Sequence, residues 1–116
     1  MQDERRKYER RFLMYFARVF NRRTGAVFGF ILDLTPEGAM VFSQAPVKPK
    51  MKFLLRMELP ENLADKAFID FEAQSVWCRR EADSENWDVG FSLNLVDEAD
   101  LHIIEQIIAE YGFRED

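Results

Sequence analysis

Apolar residues recur at every second position in three stretches of this chain, and at helical spacing in a fourth. Residues 87–95 alternate strictly, with Trp87, Val89, Phe91, Leu93 and Leu95 set against Asp88, Gly90, Ser92 and Asn94. A period of two puts one set on the buried face of a strand and the other toward solvent. In residues 68–78, Ile69, Phe71, Ala73, Ser75 and Trp77 share a face opposite Asp70, Glu72 and Gln74. This places Trp77 in the core, although an aromatic at a barrel mouth could stack on a base. In residues 51–59, Met51, Phe53, Leu55, Met57 and Leu59 oppose Lys52, Arg56 and Glu58, with Leu54 the exception. Residues 12–20 and 26–34 are apolar runs joined by Asn21-Arg22-Arg23-Thr24-Gly25, a turn where Asn and Gly tolerate positive φ. A hairpin is predicted there. Gly29 inside its second strand marks a bulge or a close backbone approach. Residues 39–42 read as a short strand after a break at 33–38. Pro46 and Pro49 make 43–50 a loop, and 79–86 is a polar hairpin loop.

From Asp97 the period changes. Leu101, Ile104, Ile108 and Tyr111 fall at helical spacing, and Ile103 and Ile107 widen the stripe. Asp97 suits the N-cap, Asp100 the positive end of the helix, and Gly112 the position beyond its last turn. A helix over about 97–112 is predicted. The whole pattern is mainly β: six strands, mostly antiparallel by their short connections, closing into a small barrel with the helix over an open end or side.

Composition narrows this further. A chain of 116 residues, 47% hydrophobic, holds one domain with its own core. No apolar run reaches the roughly 18–20 residues that span a bilayer, so no membrane insertion is expected. With a single cysteine and no leader pattern, a cytoplasmic protein is expected. One cysteine (Cys78) and one histidine (His102) leave almost no material for a zinc site or a histidine-based triad. No Gly-rich phosphate loop is present. The expectation is no enzyme, no metal and no cofactor.

Net charge is −5, unevenly spread. Residues 1–25 hold eight Lys or Arg against three Asp or Glu, and the remainder holds eight against eighteen. A basic arm on an acidic body suits a small anionic ligand. It disfavours nucleic acid, whether duplex or single strand, which would track a basic face across the body.

Two short motifs carry candidate chemistry. The first is Arg5-Arg6-Lys7-Tyr8-Glu9-Arg10-Arg11, on an arm read as exposed. Arg6 and Arg10 are four residues apart, and so are Lys7 and Arg11. That spacing puts two side chains on one face of a helical turn or of an arm wrapped around a ligand. Arginine offers a planar fork of donors for phosphate oxygens and for the O6/N7 edge of guanine, and it stacks on purines. The second motif is Asp33-Leu34-Thr35-Pro36-Glu37-Gly38. Asp33 can accept from guanine N1–H and N2–H, Thr35 supplies a hydroxyl, and Gly38 permits a left-handed backbone. The plainer alternatives are a solvated basic tail and an Asp-initiated turn, with Asp33 bonded to the backbone two residues on.

An R-x-x-x-R arm followed by a strand and D-x-[ST]-x-x-G resembles the PilZ domain family. The likeness runs on through Val76-Trp77, Val89-Gly90-Phe91 and the terminal helix. It implies a six-stranded antiparallel PilZ-type barrel at 12–116 with a C-terminal helix, preceded by a flexible basic arm at 1–11. It also implies a receptor that clamps cyclic di-GMP between arm and barrel and then engages a protein effector. The ligand-binding residues would be Arg6, Arg10 or Arg11, Asp33, Thr35 and Gly38. Thr35 stands where the family usually has Ser, and Glu37 would repel phosphates unless it points away. Some members bind no ligand, so the alternative is a ligand-independent protein adaptor in motility or pilus function.

Overall fold

In a computed structural model the chain is described at residues 11–13, 17–61, 63, 65–82, 84–94 and 96–114, by backbone alone at 11–13 and 112–114. Arg6 and Arg10 lie outside the described residues. The strands are β1 (Arg11–Leu13), β2 (Arg18–Asn21), β3 (Val27–Thr35), β4 (Gly38–Ser43), β5 (Lys52–Glu58), β6 (Phe68–Arg80) and β7 (Trp87–Asn94). Helix α1 (Glu98–Tyr111) follows, then a short strand β8 (Gly112–Arg114).

All pairings are antiparallel, in the order β2-β5-β6-β7-β4-β3, and a β2–β3 pairing closes these six strands into a barrel. β1 and β8 continue outward from β3 as a flange. The apolar run at 12–20 is therefore two strands rather than one. β2 pairs with the first half of β3, and β1 meets its second half at Phe12↔Asp33. β2 lies within the closed barrel and β1 on the flange beyond β3, so the described parts of the run serve two different pairings.

The interior is lined by Val19, Ile31, Leu34, Val41, Leu55, Met57, Ile69, Ala73 and Val89, all 2% exposed or less. The rings of Phe28, Phe53 and Phe91 pack together with centroids 5.4–5.8 Å apart. Helix α1 buries Ile104 and Ile107 completely against this core and packs on β3 and the flange. The Asp97 carbonyl accepts the first helical bond, from Leu101 N–H at 2.9 Å, which puts Asp97 at the expected N-cap position. Among the described residues no helix is long and apolar enough to cross a membrane.

Two expectations from alternation fail. Met51 precedes β5 and is exposed. Trp77 lies outside the core, 39% exposed. The cause is a bulge: Ser75 pairs with Phe91 and Trp77 with Gly90, leaving Val76 as an extra residue. One extra residue reverses the inside-outside parity, so Cys78 returns inward and Trp77 turns out.

The outer face of β2-β5-β6 carries an arginine–carboxylate lattice. Arg18 Nε donates to Glu58 at 3.0 Å, and Arg56 donates to both Asp70 oxygens at 2.7 and 3.0 Å. These hydrogen bonds hold the Glu58 and Asp70 carboxyls below their ordinary values. Arg22 donates to the backbone carbonyls of Leu55 and Phe71. Arg18, Arg22 and Arg56 therefore have intramolecular partners already.

Candidate functional site

The site is built on the β3–β4 hairpin, and it exists because β3 also bulges. Ile31 pairs with Val41 and Asp33 with Met40, so Leu32 is extra. Without it Asp33 would share the inward face of Ile31. With it, Leu34 goes into the core and Asp33 comes out. The bulge at Val76 does the same for Trp77 on the far side. The register then sets Asp33, Met40, Gly90 and Trp77 in one outward row across β3, β4, β7 and β6. Thr35 and Gly38 form the next row. These six residues line much of an open concavity of about 380 Å³.

Thr35 makes the turn. Its Oγ1 accepts from Glu37 N–H at 3.2 Å and Gly38 N–H at 3.0 Å. Asp33 Oδ1 accepts from Leu34 N–H at 3.0 Å, one residue on and not the two expected of an Asp-initiated turn. Gly38 also differs from expectation. Positive φ belongs to Gly25, at 78°, and not to Gly38. At Gly38 the constraint is space: a Cβ would lie 2.8 Å from the Phe91 carbonyl oxygen. Glu37 is exposed and its carbonyl accepts from Leu93 N–H, so its backbone faces β7.

Trp77 is the site residue that alternation hid. Its indole lies on Gly90, in the space a Cβ would occupy, and the Arg79 guanidinium sits 5.1 Å from the ring centroid. Glycine and cation together hold an exposed ring at one wall of the concavity. A faint signal was present: Gly90 is an outward-facing glycine in a central strand, a place where a neighbouring aromatic can lie flat. Of the other expected site residues, Asp33, Thr35 and Gly38 are brought together. Arg11 is placed by its backbone in β1, next to the Phe12↔Asp33 pair.

The turn chemistry gives one prediction. Thr35→Val keeps the shape and removes the hydroxyl, and should lower stability by about 1 kcal/mol, while Thr35→Ser should be neutral. Urea denaturation of the three chains reads this. Equal midpoints would mean that the hydroxyl does not hold the turn.

Residues 4–110 match the family model described as PilZ domain, and the chain belongs to that family. Among solved structures it is similar to the Bacillus subtilis inhibitor of motility MotI/DgrA, with a TM-score of 0.68 and 15% identity. That alignment covers 91% of this chain and 49% of the other, so the chain spans about half the length of that protein. No curated protein matches.

Proposed function

We propose that this chain is a receptor for cyclic di-GMP, binding it between the N-terminal arm and the outer face of β3-β4-β7-β6. One observation carries the reading. Two separate bulges turn Asp33 and Trp77 out of the core into a single row, flanking a concavity that opens beside β1. Bulges that re-aim side chains mark functional faces. The ligand offers guanine edges for the Asp33 carboxylate, a purine face for the Trp77 ring, and two phosphates for arginine forks. Arg6, Arg10 and Arg11 would supply those forks, with Thr35 and Gly38 shaping the wall. The chain acts by binding, without catalysis, in the cytoplasm, where ordering of the arm presents a surface to a protein effector.

A second reading is a ligand-independent adaptor. It is favoured by the commitment of the Thr35 hydroxyl to the turn and by likeness to a protein that inhibits motility. Titration calorimetry with cyclic di-GMP separates the two. The receptor reading expects micromolar or tighter binding that weakens at least about tenfold in Arg10→Ala and in Asp33→Ala. No heat, and no thermal shift at high ligand excess, would leave the adaptor reading.

A further inference from the structure

Trp77 offers a ligand one face of its ring, and an arginine already lies on that face. A Cβ on Gly90 would collide with Cε2 and Nε1 of the indole, so the ring rests directly on β7 and nothing fits beneath it. The Arg79 guanidinium, over the ring at 5.1 Å from its centroid, therefore covers the opposite face. Arg79 is exposed, and among the described residues no hydrogen bond or ion pair holds its side chain. The other arginines near the barrel wall differ. Arg18, Arg22 and Arg56 are bonded across the outer face of β2-β5-β6, and Arg80 Nε donates to the Ser84 carbonyl at 2.9 Å. Arg23 lies in the turn before β3, at the far end of that strand from Asp33 and Thr35.

We infer that Arg79 is the barrel's own ligand arginine: it closes a purine against Trp77 and gives its N–H fork to the attached phosphate. This deepens, and rests on, the reading of the concavity as the cyclic di-GMP site. A base reaches the indole only on the face that Arg79 covers, so base and guanidinium must meet. Stacked planes lie about 3.4 Å apart, so a purine enters between the two once the guanidinium lifts by about 2 Å. A long exposed stem with no polar contact to break permits that movement. The planar cation then stacks on the base as it stacked on the indole, so the contact is exchanged and not lost. An aromatic floor alone takes any flat ring. A guanidinium above it favours a ring that carries a phosphate, and it offsets the Asp33 carboxylate on the same wall.

The test is Trp77 fluorescence in a Trp87→Phe chain, which leaves one tryptophan, with calorimetry on the same proteins. The probes are cyclic di-GMP and guanosine monophosphate. Both should quench Trp77. Arg79→Ala should weaken both about tenfold, and Arg79→Lys about threefold, because lysine keeps the charge and loses the plane. Cyclic di-GMP binding that is unchanged or tighter in Arg79→Ala overturns the clamp and leaves the receptor reading standing. The guanidinium then gives way to the base, and Asp88 is there to receive it: it pairs with Arg79 across the strands, and its Oδ1 has no hydrogen-bond partner among the described residues. Heat of binding with no change at Trp77 also overturns the clamp. If cyclic di-GMP does not bind, and guanosine monophosphate quenches Trp77 only where Arg79 is present, the receptor reading fails and the clamp stands. Quenching by neither probe overturns the clamp.

Discussion

Gly29→Ala is expected to destabilise the barrel by about 3 kcal/mol, at the upper end of the overpacking range. Thermal unfolding should fall by roughly 9–18 °C for a domain of this size. Gly29 sits where the barrel closes, paired with Val19 on β2 and with Ser43 on β4. A Cβ at this position would run into the Phe42 carbonyl oxygen, with Val41 Cγ1 at 2.9 Å and Phe42 C at 3.1 Å. Two of the three obstacles are backbone atoms, which cannot rotate away, so relief requires moving β4 and with it the wall that carries Met40 and Gly38. Gly25 is the control. Its φ of 78° strains any L-residue, but nothing lies within 4 Å of an added Cβ. Gly25→Ala should cost about 1 kcal/mol. Scanning calorimetry of the two variants separates a lack of space from a lack of conformational freedom. A loss of less than ~1 kcal/mol at Gly29 would mean that the β3–β4 crossing relaxes without penalty.

The legible parts of this fold are those where alternation runs unbroken. Val89, Phe91 and Leu93 in β7, and Leu55 and Met57 in β5, face inward as their period requires. The α1 stripe also lies as read, because Ile104 and Ile107 meet a single core. Parity reading fails at Val76, because one inserted residue inverts everything after it and no residue type marks the insertion, and Leu32 is inserted in the same way in β3. Those two insertions make the site. The turn motif was legible in composition, since Asp, Thr and Gly are suited to it, but the distribution of roles was not: Thr35 closes the turn and Gly38 yields space. Trp77 was hidden for the same reason that it matters. β8 was invisible because three residues carry no period, and its pairing depends on β1 arriving from the other end of the chain.

The charge asymmetry was legible in number but not in availability. Part of the basic excess in the first 25 residues is Arg18 and Arg22, which the structure pairs with Glu58, with Asp70 at 3.9 Å and with backbone carbonyls. A guanidinium already bonded this way must give up a partner before it takes a phosphate. The outer face of β2-β5-β6 is thereby internally satisfied.

Lys66→Ala is expected to cost about 2 kcal/mol, roughly 6–12 °C in unfolding midpoint, and to loosen the first turn of α1. Asp100 is buried, its side chain 8% exposed, and Lys66 Nζ lies 2.7 Å from Oδ1. The same Oδ1 has no well-aligned hydrogen bond. The distance decides the matter, because an ammonium has three donors that rotate freely toward an oxygen this close. Hydrogen bonding to Asp100 raises the Lys66 pKa from its usual 10.5. A raised lysine pKa contributes stability in full below that usual value and loses it only as pH climbs through the folded value, so the Lys66 contribution is fully present at neutral pH. Removing one partner of a sealed pair costs about 3–5 kcal/mol, and the figure here is lower because Lys66 is 48% exposed and water can reach the carboxylate it leaves. Asp100→Asn in the Lys66→Ala background should restore more than half of the loss, since an amide needs no counter-charge. Urea denaturation of the parent, both single variants and the double variant measures the coupling. A Lys66→Ala chain within ~0.5 kcal/mol of the parent would mean that Asp100 is solvated in the folded state and that α1 is held by Ile104 and Ile107 alone.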